Sequence, residues 1–342
     1  MADRSRRRAV TMILASATPL TFAAVPAETK RMYEWLPTES APATFPVYLV
    51  RGSLFFADGR SVGVPDRRDV ANGWGQRGST HIVGELRKPV PVRLEIAWFS
   101  YAEDRFYEGN FTLPEPAMST LFARGIQEDR QTGKPIAFER IIVGMAPEGL
   151  VCVWMAAGAE VVEVASFQAA PANLPWERVL DNPAIARPVF VRSVLERRLG
   201  PDAFARLQKD GVPRGRFQQY RTLYKWQPWV TGPGTPQGIR IRSFNGENAF
   251  IGAKGASLPR DRRPVPAALD LDWRSDTGAG ITARITLDET ETLAAFQKLG
   301  SGATPPQLAL HLETSPVGVA VSLRDEKIIL PLQRAQVRLT RQ

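Results

Sequence analysis

The sequence predicts an α+β fold of two related units, each a mostly antiparallel sheet with one covering helix, joined by a basic helical segment. Three observations lead there. Glycine and proline are frequent, 27 and 28 of 342 residues, which favours turns and short strands over long helices. The makeup is 44% hydrophobic and 23% charged, which suits a globular chain with room for more than one core and excludes coiled coil, collagen and wholesale disorder. Finally, Pro89 to Ser100 (PVPVRLEIAWFS) is echoed by Pro264 to Ser275 (PVPAALDLDWRS), identical at six of twelve positions.

The elements of each unit follow in order. Leu94, Ile96 and Trp98, or Leu269, Leu271 and Trp273, alternate with more polar neighbours, as in a strand that buries one face. A short strand precedes each, Val47 to Phe56 and Gly238 to Phe244. After a polar turn, Tyr101 to Arg105 or Asp276 to Gly280, a second period-two run completes a hairpin: Tyr107, Gly109, Phe111 and Leu113 in one copy, Ile281, Ala283, Ile285 and Leu287 in the other. Thr112-Leu-Pro-Glu115 and Thr286-Leu-Asp-Glu289 then open stretches of helical spacing, with Met118, Leu121 and Phe122 matched by Leu293, Phe296 and Leu299. Gly125 and Gly300 stand where helix C-cap glycines belong. Ile141 to Gly149 and Leu310 to Gly318 share a Pro-x-Gly turn, and further strands are expected at Val161 to Ser166 and Lys327 to Leu332. This places the units at residues 28–168 and 232–342, with a helical basic connector at 169–231.

In the connector, Pro188 to Leu199 reads as a helix stopped by Gly200, and Pro201-Asp202 starts a second that runs to about Asp210. Between Arg187 and Lys225 there are ten Lys or Arg against Glu196, Asp202 and Asp210, so much of the formal charge of +9 is concentrated here. Phe217, Tyr220, Tyr224, Trp226 and Trp229 are interleaved with Arg214, Arg216, Arg221 and Lys225. Arginine and aromatic anchors suit partner binding, and aromatics equally suit a core packed between the units. These nine residues, with Trp74 in the turn Asn72-Gly-Trp-Gly75, are the candidate partner contacts.

The first 27 residues read as a signal peptide. Arg4, Arg6, Arg7 and Arg8 precede a weakly apolar stretch, Ala9 to Ala27, that ends in small residues spaced for a signal peptidase. That stretch is too short and too interrupted to span a bilayer, which takes about 20 mostly apolar residues. The expectation is export to the periplasm, with membrane association only through an uncleaved N-terminal segment and no nucleic-acid partner.

Reactive side chains are scarce. The two histidines, His81 and His311, have no metal-ligand neighbour at close spacing, and Cys152 sits in an apolar strand-like run as a small hydrophobe. A nucleophile elbow, a P-loop, a dinucleotide glycine fingerprint and His-Glu-x-x-His are all absent. No catalytic residue, metal or cofactor is expected. Asp270, Asp272 and Asp276 read as a solvated face, and Glu103 and Asp104 as turn residues, although paired carboxylates also serve glycosidases.

Trp98 to Glu103, Phe106 to Gly109, the Val143 to Gly149 turn and Leu287 to Phe296 resemble a bacterial family of unknown function, mostly predicted envelope proteins and many of them lipoproteins. The likeness covers residues 45–168 and 232–340. It implies, through the type VI secretion components and lipase-type effectors often encoded nearby, an immunity or accessory role. This chain lacks the cysteine a lipoprotein would carry after its signal. The expectation is therefore a non-enzymatic periplasmic protein that binds another protein, an acidic secreted effector in the immunity case. The alternative is an envelope glycan-binding module or carbohydrate-active enzyme using exposed aromatics and carboxylates such as Asp270, Asp272 or Glu103.

Overall fold

The alternating phrase at Trp98 forms a strand whose apolar set is fully buried, and its neighbours in sequence build a sheet on either side of it. The computed structural model describes residues 31–341 apart from 81, 83, 127–134, 253–261, 302–305 and 316. His81 and the N-terminal segment read as a signal lie outside the described residues. The fold is mixed α+β and mostly strands, and Met32–Gln342 pack as one compact unit.

The first half of this unit contains β1 (Tyr33–Glu34), β2 (Leu36–Ser40), β3 (Val47–Phe55), β4 (Ser61–Gly63), β5 (Arg68–Val70), β6 (Arg87–Lys88), β7 (Arg93–Ser100) and β8 (Arg105–Thr112). Helix α1 (Glu115–Arg124) follows, then β9 (Arg140–Met145), β10 (Leu150–Ala157), β11 (Glu160–Gln168) and β12 (Ala170–Ala172). A six-stranded sheet runs β12-β8-β7-β3-β4, with β5 also on β3. β2 lies parallel to β9, which pairs antiparallel with β10 and so with β11; β1 pairs with β6.

The middle segment is only partly helical, against expectation. Helix α2 (Arg187–Asp210) bends at Gly200 (φ 73°, ψ 170°), as the Gly-Pro step predicts, and α3 (Arg216–Gln219) is a single turn. The chain then becomes extended as β13 (Leu223–Tyr224) and β14 (Trp226–Thr231). Trp226 and Trp229, three residues apart, fall on opposite sides of β14, one buried and one exposed, and β14 finds a parallel partner strand.

The second half holds β15 (Thr235–Ser243), β16 (Asn248–Gly252), β17 (Arg263–Pro264), β18 (Pro266–Arg274), β19 (Gly280–Thr286), α4 (Glu289–Gly300), β20 (Leu308–Ser315), β21 (Gly318–Arg324), β22 (Ile329–Pro331) and β23 (Gln336–Arg341). β16-β15-β18-β19-β23 are neighbours in that order, β14 lies parallel to β20 with β21 and β22 beyond, and β13 pairs with β17. A single pairing of Val161 with Asn248 joins β11 to β16, so one nine-stranded sheet, β2-β9-β10-β11-β16-β15-β18-β19-β23, crosses both halves.

Two cores lie on the two faces of that sheet. All eight residues of β10 are buried. Val151, Val153 and Met155 face a core shared with Leu94, Ile96, Trp98 and the α1 residues Met118 and Phe122. Leu150, Cys152, Trp154 and Ala156 face a second core with Leu269, Leu271, Trp273, Phe296 and Leu310. The outer face of the six-stranded sheet is covered by α2, whose Val191, Val194 and Leu195 pack on Val50, Phe99 and Phe106. α1 ends on Gly125 as expected (φ 65°). Gly300 instead belongs to α4, where a Cβ would collide with the Tyr224 ring, so its small size serves packing rather than capping.

Candidate functional site

Of the ten residues singled out as partner contacts, four converge at one joint, two of them buried and two half-buried. Phe217 and Tyr220 are buried at 6% and 7% exposure, and the Trp74 ring meets Trp154 at 4.8 Å and Phe217 at 5.3 Å, edge to face. Arg221 completes the group. Trp226 (1% exposed) lies against Phe296, as does Tyr224, in the second-half core. Phe217, Tyr220 and Trp226 are therefore interior packing and offer no surface to a partner. The physical reason is scale: an aromatic side chain buries 150–250 Å² when enclosed, roughly, and the joint between two halves supplies that enclosure. Arg214 is exposed, Arg216 pairs with Glu289 at 3.0 Å, and Lys225 is half-buried at the start of β14. Trp229 remains exposed, but it stacks on His311 at 4.4 Å and carries Arg324 over its ring at 4.6 Å, so a sugar seated there would compete with both.

The joint itself is polar at its rim. Turn 72–75 meets turn 243–247 so closely that a Cβ at Gly75 would lie 2.6 Å from Gly246 Cα, and Trp154 Nε1 donates to Asn245 O at 3.2 Å. Glu163 of β11 sits at the centre. Its Oε1 accepts from Arg221 Nε at 2.6 Å and its Oε2 from Asn245 Nδ2 at 3.1 Å, while its backbone N–H donates to Glu247 Oε1 at 2.8 Å. Burial raises the pKa of Glu163; the Arg221 hydrogen bond and charge oppose that shift without cancelling it. A cavity of about 180 Å³ opens here, lined by Glu163, Arg221, Leu223, Asn245 and Glu247.

A second cavity, of about 350 Å³, lies at the start of α3 between Glu148, Leu150, Gln168, Gly215 and Phe217. Its carboxylate belongs to the Pro-Glu-Gly turn, with Glu148 in the left-handed region (φ 62°). Glu148 Oε2 accepts from Gly215 N at 2.6 Å, and its backbone N–H donates to Glu103 Oε1 at 3.0 Å. Tyr107 OH donates to the same Glu103 oxygen at 2.9 Å, and burial together with that bond pushes the phenol pKa up to about 12. Glu103, expected as a plain turn residue, thus ties three segments together, the β7–β8 turn, β8 and the 147–149 turn.

With this geometry in hand, the comparison with protein families gives a match. Residues 23–215, more than half of the chain, match a family described as protein of unknown function (DUF2931). The chain belongs to this family. No curated protein and no solved structure matches it. The DUF2931 match takes in β1 to β12 and α2 and ends at Gly215, the N-cap of α3. The Glu103–Tyr107–Glu148 lock therefore lies within the family region, and Arg221, Trp226 and Trp229 lie beyond it.

Other reactive groups in the DUF2931 chain are built into its structure. Cys152 is buried and its thiol pKa is pushed up by desolvation. The His311 ring bonds to Thr231 Oγ1 at 2.7 Å, and burial, with Arg324 nearby, lowers its pKa. Among the described residues no group of three or more His, Cys, Asp or Glu is placed to hold a metal ion, and no helix is long and apolar enough to cross a membrane. Asp270, expected on a solvated face, is only 5% exposed and is held by Arg240, Arg242 and Arg284. Sequence reading missed those arginines because they stand on strands other than that of Asp270, and only the strand register brings them to it. Their signal was the alternation Arg240-Ile-Arg242 in a strand otherwise read for its apolar face.

Proposed function

We propose that this DUF2931 member is an exported protein of two related α+β units that works by binding another protein, without chemistry of its own, as an immunity or accessory factor for a type VI secretion effector. The observation that carries the reading is the engagement of the carboxylates lining both cavities. Glu163 is held by Arg221 and by Asn245 of the second half, and exposed Glu148 accepts from Gly215 N, so the acids that a hydrolase would aim at a substrate are instead engaged by neighbouring segments of the chain. The matching order of the strand pairings supports reading the halves as copies: among the described residues β2 on β9 and β14 on β20 are the parallel pairs, and each hairpin, β7–β8 and β18–β19, leads into a helix.

The test uses the purified full chain and the purified product of the adjacent gene. Binding at micromolar concentration or tighter, with protection of cells that receive that product, is the expected result. Absence of both would remove the reading. Export is checked separately: the N-terminus of protein recovered from the periplasmic fraction should begin near residue 28, and a chain starting at Met1 in that fraction would count against cleavage.

A further inference from the structure

The outer face of β15-β18-β19-β23 carries a compact set of arginines. Their alternation places Ile239, Ile241, Leu269, Leu271, Ala283 and Ile285 in the core and turns the intervening residues outward. Register then sets Arg240 opposite Asp270, Asp270 opposite Arg284 and Arg284 opposite Arg338, one continuous row across four strands. Arg242 stands one pleat further along β15 and bonds Asp270 Oδ2 at 2.9 Å; Arg284 Nε bonds Oδ1 at 3.3 Å, and Arg240 approaches at 3.6 Å.

Two carboxylates share this face with Arg240, Arg242, Arg284 and Arg338: Asp270, and one pleat along β18 Asp272, which accepts from Thr282 Oγ1 at 2.7 Å. Asp270 has about four lone-pair sites against five N–H donors on each guanidinium, so most donors face away from it. Arg240 and Arg284 are 48% and 68% exposed, and Arg338 is exposed as well. Burial works against ionisation of Asp270, but Arg242 and then Arg284 outweigh it and hold its carboxyl below the usual carboxylate range, so the acid stays charged and keeps the guanidiniums in place. The first half differs: among the described residues its matching acid is paired with Arg93. Glu95 occupies the matching position in the repeated phrase, and its cross-strand neighbours are Ser53 and Asn110. Phe99, which matches Arg274, lies beneath α2.

We propose that this arginine face docks an acidic protein segment, with Asp270 serving as the internal template that spaces Arg240, Arg242 and Arg284. The inference rests on the protein-binding reading and names the partner's chemistry. Guanidinium forks match carboxylates bidentately. An extended segment carries same-side side chains about 6.6–6.8 Å apart, which is the spacing of Arg240 and Arg242 along their strand. The face also lacks large exposed apolar residues of the kind that would insert into a bilayer; among the described residues those are Val317, Ile328, Ile329 and others on separate elements.

The test titrates the full chain at low salt with a fluorescent peptide of about ten glutamates and, separately, with phosphatidylglycerol vesicles. Arg240→Ser/Arg284→Ser/Arg338→Ser should weaken peptide binding about tenfold or more, whereas Arg192→Ser/Arg197→Ser/Arg206→Ser on exposed α2 positions should change it less than about twofold. No peptide binding, equal loss in both variants, or vesicle binding that depends on the same three arginines would overturn the proposal. Should the triple variant fail to fold, Arg338→Ser removes none of the guanidiniums that hold Asp270 and should still weaken the peptide; unchanged affinity would overturn it. The two readings fail separately. If the adjacent gene product binds the face variant as well as the parent, this face is wrong and protein binding stands; if the peptide binds through these arginines and the adjacent product does not bind at all, the reverse holds.

Discussion

Glu163 shows how one residue's environment sets a pH dependence. Its pKa is raised by burial, so the folded state holds the proton more tightly than the unfolded chain, and ionising it costs stability as pH rises through and above the ordinary carboxylate range. Arg221 limits that cost. Arg221→Met should therefore destabilise by about 2–3 kcal/mol at pH 7, discounted from the fully buried case because Arg221 is 30% exposed, and the loss should shrink as pH falls and Glu163 becomes protonated above the ordinary carboxylate range. Urea unfolding at several pH values measures this; a loss independent of pH would show that Arg221 acts through packing alone. Gly149 has a different constraint. It sits at φ 77°, and a Cβ there would lie 2.7 Å from Ala169 O and 2.9 Å from the Tyr107 ring. Gly149→Ala should cost about 1–3 kcal/mol, read as a drop of roughly 2–4 °C in Tm per kcal/mol.

At the scale of elements, α2 was legible as two helices meeting at a Gly-Pro step, because the dipeptide carries its own backbone geometry. The hairpins and α1 were legible for the same kind of reason: period-two and helical spacing are local signals, as Trp98 and Met118 illustrate. β14 was not. Phe217 to Trp229 reads as one basic aromatic run, yet its first part is a helical turn and its last part a strand, and only pairing with β20 some 80 residues away decides that. The same limit applied to the candidate contacts, since spacing alone cannot separate an anchor aimed at a partner from one aimed at the other half of the chain. The cover that α2 gives Phe99 makes a further point testable. Leu195 is 7% exposed within that contact, so Leu195→Ala should cost about 2–3 kcal/mol, while Arg206→Ala on the exposed part of the helix should stay within about 0.5 kcal/mol. Equal effects would mean that α2 does not pack as a cover.

For the whole molecule, the decisive feature is that β10 belongs to two cores at once. A run with no polar side chain, Leu150-Val-Cys-Val-Trp-Met-Ala-Ala157, is what a strand enclosed on both faces requires, and its alternate residues serve different halves. Trp154 is the largest of these, fully buried, packed on Trp74 and hydrogen-bonded to Asn245 O in the second half. If the halves were independent domains, a cavity at Trp154 would lower one unfolding transition and leave another in place. With a shared wall, the loss propagates to both. Trp154→Ala should cost about 3–5 kcal/mol and shift a single calorimetric transition whose van't Hoff and calorimetric enthalpies agree in parent and variant alike. The parent and variant should also lose near-ultraviolet tryptophan signal and far-ultraviolet strand signal at the same temperature. Two resolved transitions, with only the lower one moved by the substitution, would show that the nine-stranded sheet joins the halves in space without coupling their stability.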